Sequence, residues 1–317
     1  MGYKTLLLLL MWLLGSSVHA QQIVFTPHWS AQSQFAGYYV AQELGFYKDA
    51  GVDVVIEHSS TSDLALNRML SGRSNAITMF LFDAICRIDQ GIEMVNILQT
   101  AQRTGQALVV RNDSISCLDD LRGKRVGIWR SHFNQLAQFM NIDHNLNIDW
   151  ILFIQNINLY ISGAVDATMA MTYNELYWIL ASGFEDRKVI PLEEAGYDFP
   201  DEGLYISREY YNKYPNKAQA FAEASRKGWE WTHRHPEKAL EIVLEVMERE
   251  SVPASRRHQE WMLREVLKLQ CAKGESRPSF KLDKGKVKEL NRLLLHHGSI
   301  DKELSIEQIQ GIKVWRY

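Results

Sequence analysis

Four short stretches carry side chains that could do chemistry, and each follows an apolar run that reads as a strand. Trp29 lies just past the run Gln22 to Thr26, and Trp129-Arg130-Ser131-His132 follows Lys124 to Trp129. Tyr173-Asn174-Glu175 follows Ala167 to Met171, and Phe80-Leu81-Phe82-Asp83 closes Ala76 to Phe80. The C-terminal ends of strands in open α/β sheets are where such proteins hold ligands. An indole at Trp29 offers a flat face to a ring or a cation; packing alone is the alternative. Glu175 could accept from an exocyclic amine, Asn174 could donate to a ring nitrogen, and Tyr173 adds a phenol. Equally, Asn174 and Glu175 could simply complement a helix start. Asp83 reads either as a binding carboxylate or as the N-cap of a following helix. Gln32 and Gln34 could donate to a ligand, and Asp201-Glu202-Gly203 is a weaker candidate of the same kind.

Other chemistries find little support. The residues after Trp129 open a helix, an anion-friendly place, but lack the GxxxxGK[ST] pattern of a phosphate loop. The ten histidines show neither HExxH nor paired-cysteine spacing, so no metal site is expected. His296-His297, near the end of a polar-faced helix, reads as solvated. There is no GxSxG, and Glu193-Glu194 reads as a surface helix face. No catalytic residue is assigned, and no cofactor is expected.

The elements that must position these groups alternate. Expected strands are Gln22 to Thr26, Val52 to Glu57, Ala76 to Phe80, Met94 to Gln99, Ala107 to Arg111, Lys124 to Trp129, Trp150 to Ile154, Ala167 to Met171 and Gly203 to Ser207, with Lys188 to Pro191 extended. Between them, helical spacing covers Gln34 to Asp49, Ser62 to Ser71, Asp83 to Gln90, Ser114 to Leu121, Asn158 to Ser162 and Asn174 to Ala181. For the second of these, Ser60, Thr61 and Ser62 are cap candidates and Gly72 the stop. From Pro215 the composition shifts to helix formers, with helices over Lys217 to Arg234, Pro236 to Glu250, Ser255 to Ala272 and Lys286 to His297. Strands separated by helices imply parallel βαβ units. The pattern suggests two α/β lobes, the second inserted in the first. Lobe one comprises 21–107 and 206–317, lobe two 108–205. ALVVR and GLYIS mark the crossings, and the C-terminal helices return to lobe one. A cleft between lobes suits a small ligand.

The ends and the composition set further bounds. Lys4, the apolar run Thr5 to Leu14 and Val18-His19-Ala20 have the layout of a secretory signal, residues 1–20. The expected product is exported, soluble and monomeric, with a retained membrane anchor as the alternative. With 35 basic against 38 acidic residues, nothing points to nucleic acid. Cys86, Cys117 and Cys271 are odd in number and widely spaced, so buried free thiols are expected rather than a disulfide framework.

The run W-x-x-Q-x-x-x-A-G-Y-Y-V-A-x-E-x-G-F-Y-K-x-A-G-x-D-V-x-I, Trp29 to Ile56, resembles the opening motif of the SsuA/THI-like family. These are periplasmic solute-binding proteins and relatives of the thiamine-pyrimidine precursor synthases. LDDLRGKRVGIW at 118–129, TYNEL at 172–176 and GLYIS…YYNKYP at 203–215 are similar too. The resemblance implies a type II periplasmic-binding-protein fold closing on a solute, with a membrane ABC permease, or a sensor kinase, as partner. In the pyrimidine-binding branch an aromatic side chain stacks on the ring while acidic and amide groups read its amine and nitrogens. That implies Trp29, Tyr173, Asn174 and Glu175 as ligand-binding residues, with Asp83 and Trp129 beside them. The synthase branch carries a cysteine cluster before the return strand. Tyr197 to Asp201 here reads YDFPD, with no cysteine between Cys117 and Cys271, which speaks against synthase activity.

Overall fold

The computed structural model describes residues 22–130, 134–153 and 157–311. The expected leader at 1–20, Ser131-His132 and Ile154 lie outside the described residues. Two five-stranded mixed sheets form, each with parallel strands interrupted by an antiparallel one. In the first, the order is β2 (Val54–Ile56), β1 (Ile23–Thr26), β3 (Ala76–Phe80), β10 (Glu202–Ser207) and β4 (Met94–Gln99). In the second it is β7 (Asp149–Phe153), β6 (Arg125–Trp129), β8 (Ala167–Met171), β5 (Gln106–Val110) and β9 (Val189–Pro191). β10 runs antiparallel to β3 and β4, and β5 runs antiparallel to β8 and β9. The chain crosses from the first sheet to the second over 100–105 and returns over 192–201, so ALVVR and GLYIS stand immediately beyond the crossings. Strands β3, β4, β5 and β8 are buried throughout, which is why they read as continuous apolar runs.

Most helices fall where the spacing predicts, with instructive exceptions. The expected helix Gln34 to Asp49 breaks into a 3-10 turn at Ser33–Phe35, α1 (Ala36–Glu43) and α2 (Phe46–Asp49). Gly45, at φ +76°, turns the chain between the two helices. The expected helix Ser62 to Ser71 contracts to α3 (Ala65–Leu70), capped by no side chain, and Gly72 ends it at φ +73°. Ser114 to Leu121 yields only a 3-10 turn at Leu118–Leu121, because the Asp120 carboxylate is drawn back onto the backbone N–H groups of Ser116 and Cys117. Short helices α4 (Leu81–Asp89), α5 (Gln135–Asp143), α6 (Asn158–Ile161) and α7 (Glu175–Ala181) complete the α/β portion.

The C-terminal portion is helical: α8 (Arg208–Lys213), α9 (Pro215–Arg234), α10 (Pro236–Arg249), α11 (Arg256–Leu269), α12 (Lys284–His296) and α13 (Ile306–Ile309). α9 lies across α1 at very short range, since a Cβ on Gly228 would sit 2.0 Å from the Gly37 carbonyl oxygen. Trp229 is fully buried at this crossing beside Tyr38. α11 touches both halves: Gln259 accepts from the Ser33 N–H at 2.7 Å, and the Trp261 indole donates to the Thr172 carbonyl at 2.9 Å.

Three smaller expectations are corrected. All three cysteines are free, but only Cys86 is buried; Cys117 is exposed and Cys271 half-buried. Glu193 lies in a turn, and its carboxylate accepts from Arg103 Nε at 2.8 Å and lies 2.9 Å from Lys273 Nζ. His297 is not solvated: its side chain is 5% exposed and stacks on Phe139 at 4.1 Å.

Candidate functional site

The C-terminal ends of β1, β3, β6 and β8 face one another across a cavity of about 310 Å³. That is about ten water volumes at ~30 Å³ each, room for a ligand of one or two rings. From the first sheet, Trp29, Gln32, Gln34 and Phe80 line it; from the second, Trp129, Tyr173, Asn174 and Glu175 do. Five of the six residues assigned from sequence therefore meet in one hollow. Asp83 does not. It sits in the first turn of α4, whose N-cap is Phe80, and pairs with Arg87 Nε at 3.1 Å, one turn along. The helix begins two residues earlier than its polar pattern suggests, which carries Asp83 past the mouth of the cavity and past the cap position.

The wall from the second sheet is organised around Glu175. Its Oε1 accepts from Trp129 Nε1 at 2.9 Å and from Asn174 Nδ2 at 3.2 Å, and its Oε2 from the Met171 N–H at 2.9 Å. Burial pushes the carboxyl above the usual range, and these donors pull the other way. A carboxylate offers about four acceptor sites, and with the Glu175 N–H also bonded to it they are largely taken. Glu175 thus fixes the indole of Trp129 and the amide of Asn174 more than it reads a ligand. Tyr173 is buried, and burial raises its phenol well above its ordinary pKa, keeping the O–H protonated as a donor.

The floor from the first sheet is a hydrogen-bonded chain. Gln32 Nε2 donates to Gln34 Oε1 at 2.7 Å, and Gln34 Nε2 donates to Glu202 Oε2 at 2.7 Å. Burial lifts the Glu202 carboxyl to about 8 and that of its neighbour Asp201 to about 7. His28 is pushed down to about 4 by burial. The Thr78 hydroxyl accepts from the His28 N–H at 2.9 Å and lies 2.7 Å from Nδ1. His28 Nδ1 is also 3.5 Å from Glu202, but with these shifts both groups are neutral near pH 7, and the contact is not an ion pair. His28, unassigned from sequence, carries the same signal that marks Trp29: a polar side chain just past a strand's C-terminal end. Aromatic walls over a neutral polar floor can hold a flat, uncharged, hydrogen-bonding ring.

A larger groove, about 880 Å³, runs between α10 and α11. Its lining carries Glu237, Glu241, Arg256, Glu260, Arg264 and Lys268 and includes no Phe, Tyr or Trp. The cleft between the sheets has the better-formed recognition surface.

The profile of the family described as NMT1/THI5 like matches residues 32–239. A riboflavin-binding protein, RibY, of Chloroflexus aurantiacus is 23% identical over 236 residues, 71% of this chain and 66% of that one. A putative binding protein, YtlA, of Bacillus subtilis is 27% identical over 220 residues, 65% of each chain. The match therefore spans just under two thirds of each relative. The periplasmic aliphatic sulphonate binding protein SsuA of Escherichia coli superposes with a TM-score of 0.65 at 13% identity, covering 93% of this chain and 92% of that one. A ligand-binding component of an ABC-type import system from Staphylococcus aureus gives a TM-score of 0.68 at 9% identity over 93% and 98%. These likenesses establish the periplasmic-binding-protein fold. Among the described residues no helix is long and apolar enough to cross a membrane.

Proposed function

The chain belongs to the NMT1/THI5-like family, and on that premise we propose that it is a solute-binding protein for a flat nitrogen heterocycle. Two lobes, 21–107 with 206–317 and 108–205, close on the guest and present it to a membrane ABC permease from the periplasm. Residues 1–20 serve as the export signal. The observation that carries this reading is the cavity itself, where Trp29 from one sheet and Trp129, Tyr173 and Asn174 from the other line the same space. A guest touching both walls shifts the open and closed populations, because its contacts exist in full only in the closed form. The riboflavin-binding relative supports a ring with hydrogen-bonding nitrogens. The size of the cavity favours a smaller ring than a flavin with its side chain, and a pyrimidine precursor of thiamine is the leading ligand. No bond is made or broken.

A thermal-shift panel of thiamine-pyrimidine precursors, riboflavin and alkanesulfonates tests this. A ligand at a hundred times its dissociation constant adds about 2.7 kcal/mol of stability. A shift with a heterocycle supports the proposal; a shift confined to sulfonates refutes it.

A further inference from the structure

Outside the lining of the cleft, three metal-ligating side chains converge from opposite halves of the molecule. Asp143 is the last residue of α5, which belongs with the second sheet, while His296 ends α12 and His297 is its C-cap. α12 packs on α4 beside the first sheet. Each of the three offers one ligand atom, and these atoms all lie within 4.8 Å of one another. We propose that Asp143, His296 and His297 form a site for a zinc-class divalent cation that ties the two halves together.

The geometry of His297 argues for an ion rather than a plain hydrogen bond. Its Nε2 lies 3.0 Å from Asp143 Oδ1, yet it is buried without a properly directed hydrogen-bond partner. Two ligand atoms on one tetrahedral zinc with bonds of ~2.0–2.1 Å stand about 3.3 Å apart. The pair stands close to that spacing, and His297 Nε2 is not aimed along the line to the oxygen. Phe139 stacks on the His297 ring at 4.1 Å and 9° between planes, which fixes the ring's orientation. The second oxygen of Asp143 accepts from the Tyr197 hydroxyl at 2.6 Å, an outer partner of the kind that holds a ligating carboxylate in place. His296 is exposed, and its ring stands edge-on to that of His297 at 5.1 Å. The C-terminal end of α12 adds a favourable dipole for a cation. Two imidazoles and one carboxylate suit Zn²⁺, Ni²⁺ or Cu²⁺, whereas Mg²⁺ and Ca²⁺ call for oxygen ligands. Water completes the shell.

The test is calorimetric titration of Zn²⁺ into untagged, chelator-stripped full-length protein. One site is expected, weakened at least tenfold in both His296→Ala and Asp143→Asn, and unchanged in His235→Ala, a control at an exposed histidine elsewhere. Both test residues are surface-accessible, so the variants should melt with the parent in the absence of metal. Tyr197→Phe should weaken binding by roughly ten- to a hundredfold. Mg²⁺ should give no heat. Absence of Zn²⁺ binding, or binding that survives both His296→Ala and Asp143→Asn, would overturn the assignment.

Discussion

Trp129 Nε1 donates to Glu175 Oε1 across 2.9 Å, joining the end of β6 to the first residue of α7. The bond fixes an indole in a cavity wall and uses part of a buried carboxylate to do so. Replacing that carboxylate therefore tests wall and fold together. In Glu175→Gln, an amide NH₂ would face either Trp129 and Asn174 or the Met171 N–H, leaving donors opposed. We expect a loss of about 1–3 kcal/mol in denaturant unfolding and weaker ligand binding. Unchanged stability would mean that the network contributes little.

Trp29 is only partly buried and lines the cavity from the other sheet. Trp29→Ala should weaken ligand binding by about 1–3 kcal/mol with little change in the melting temperature of the free protein. Calorimetry with the ligand that emerges from the panel reads this directly, and an unaltered affinity would remove Trp29 from the wall.

The acids at the return crossing predict a pH dependence. Folded pKa values of about 7 for Asp201 and about 8 for Glu202 lie above their unfolded values. The native state thus binds protons more tightly, and the stability this supplies is complete below the unfolded pKa near 4 and fades as pH rises to about 8. His28, lowered to about 4, acts in the other direction, costing stability as pH falls below about 6.5. Urea melts should show a loss of a few kcal/mol between about pH 6 and about pH 9. Glu202→Gln should flatten most of that slope; a slope the substitution leaves intact would locate the titration elsewhere.

The α1–α9 crossing is the most sterically demanding contact described. Gly228→Ala would place a methyl 2.0 Å from backbone oxygen of Gly37 and 2.9 Å from the Ala41 Cβ. Backbone cannot yield as a side chain can, so destabilisation at or above the ~1–3 kcal/mol of ordinary overpacking is expected. A melt indistinguishable from the parent's would show that the helices separate readily.

Much of this was legible from the chain. Continuous apolar runs such as Met94–Gln99 announced buried strands, and Trp29, Trp129, Tyr173, Asn174 and Glu175 were marked by their place after strands. Asp83 misled because a polar residue near a helix start fits a cap, a wall or an i,i+4 ion pair equally well, and only the true helix start decides. His28 shares with Trp29 the place just past a strand's end, but its contacts with Thr78 and Glu202 come from residues distant in sequence. Asp143 and His296 are separated by most of the second half of the chain, so no spacing rule could join them. Gly37 and Gly228 meet only once α9 returns to α1.

The central claim is that one guest touches both sheets. A crystal structure with the ligand that gives the largest thermal shift tests it most directly. The account predicts a ring within about 4 Å of the Trp29 indole and within hydrogen-bonding distance of Asn174. A ligand seated in the groove between α10 and α11, or held by residues of a single sheet, would contradict it.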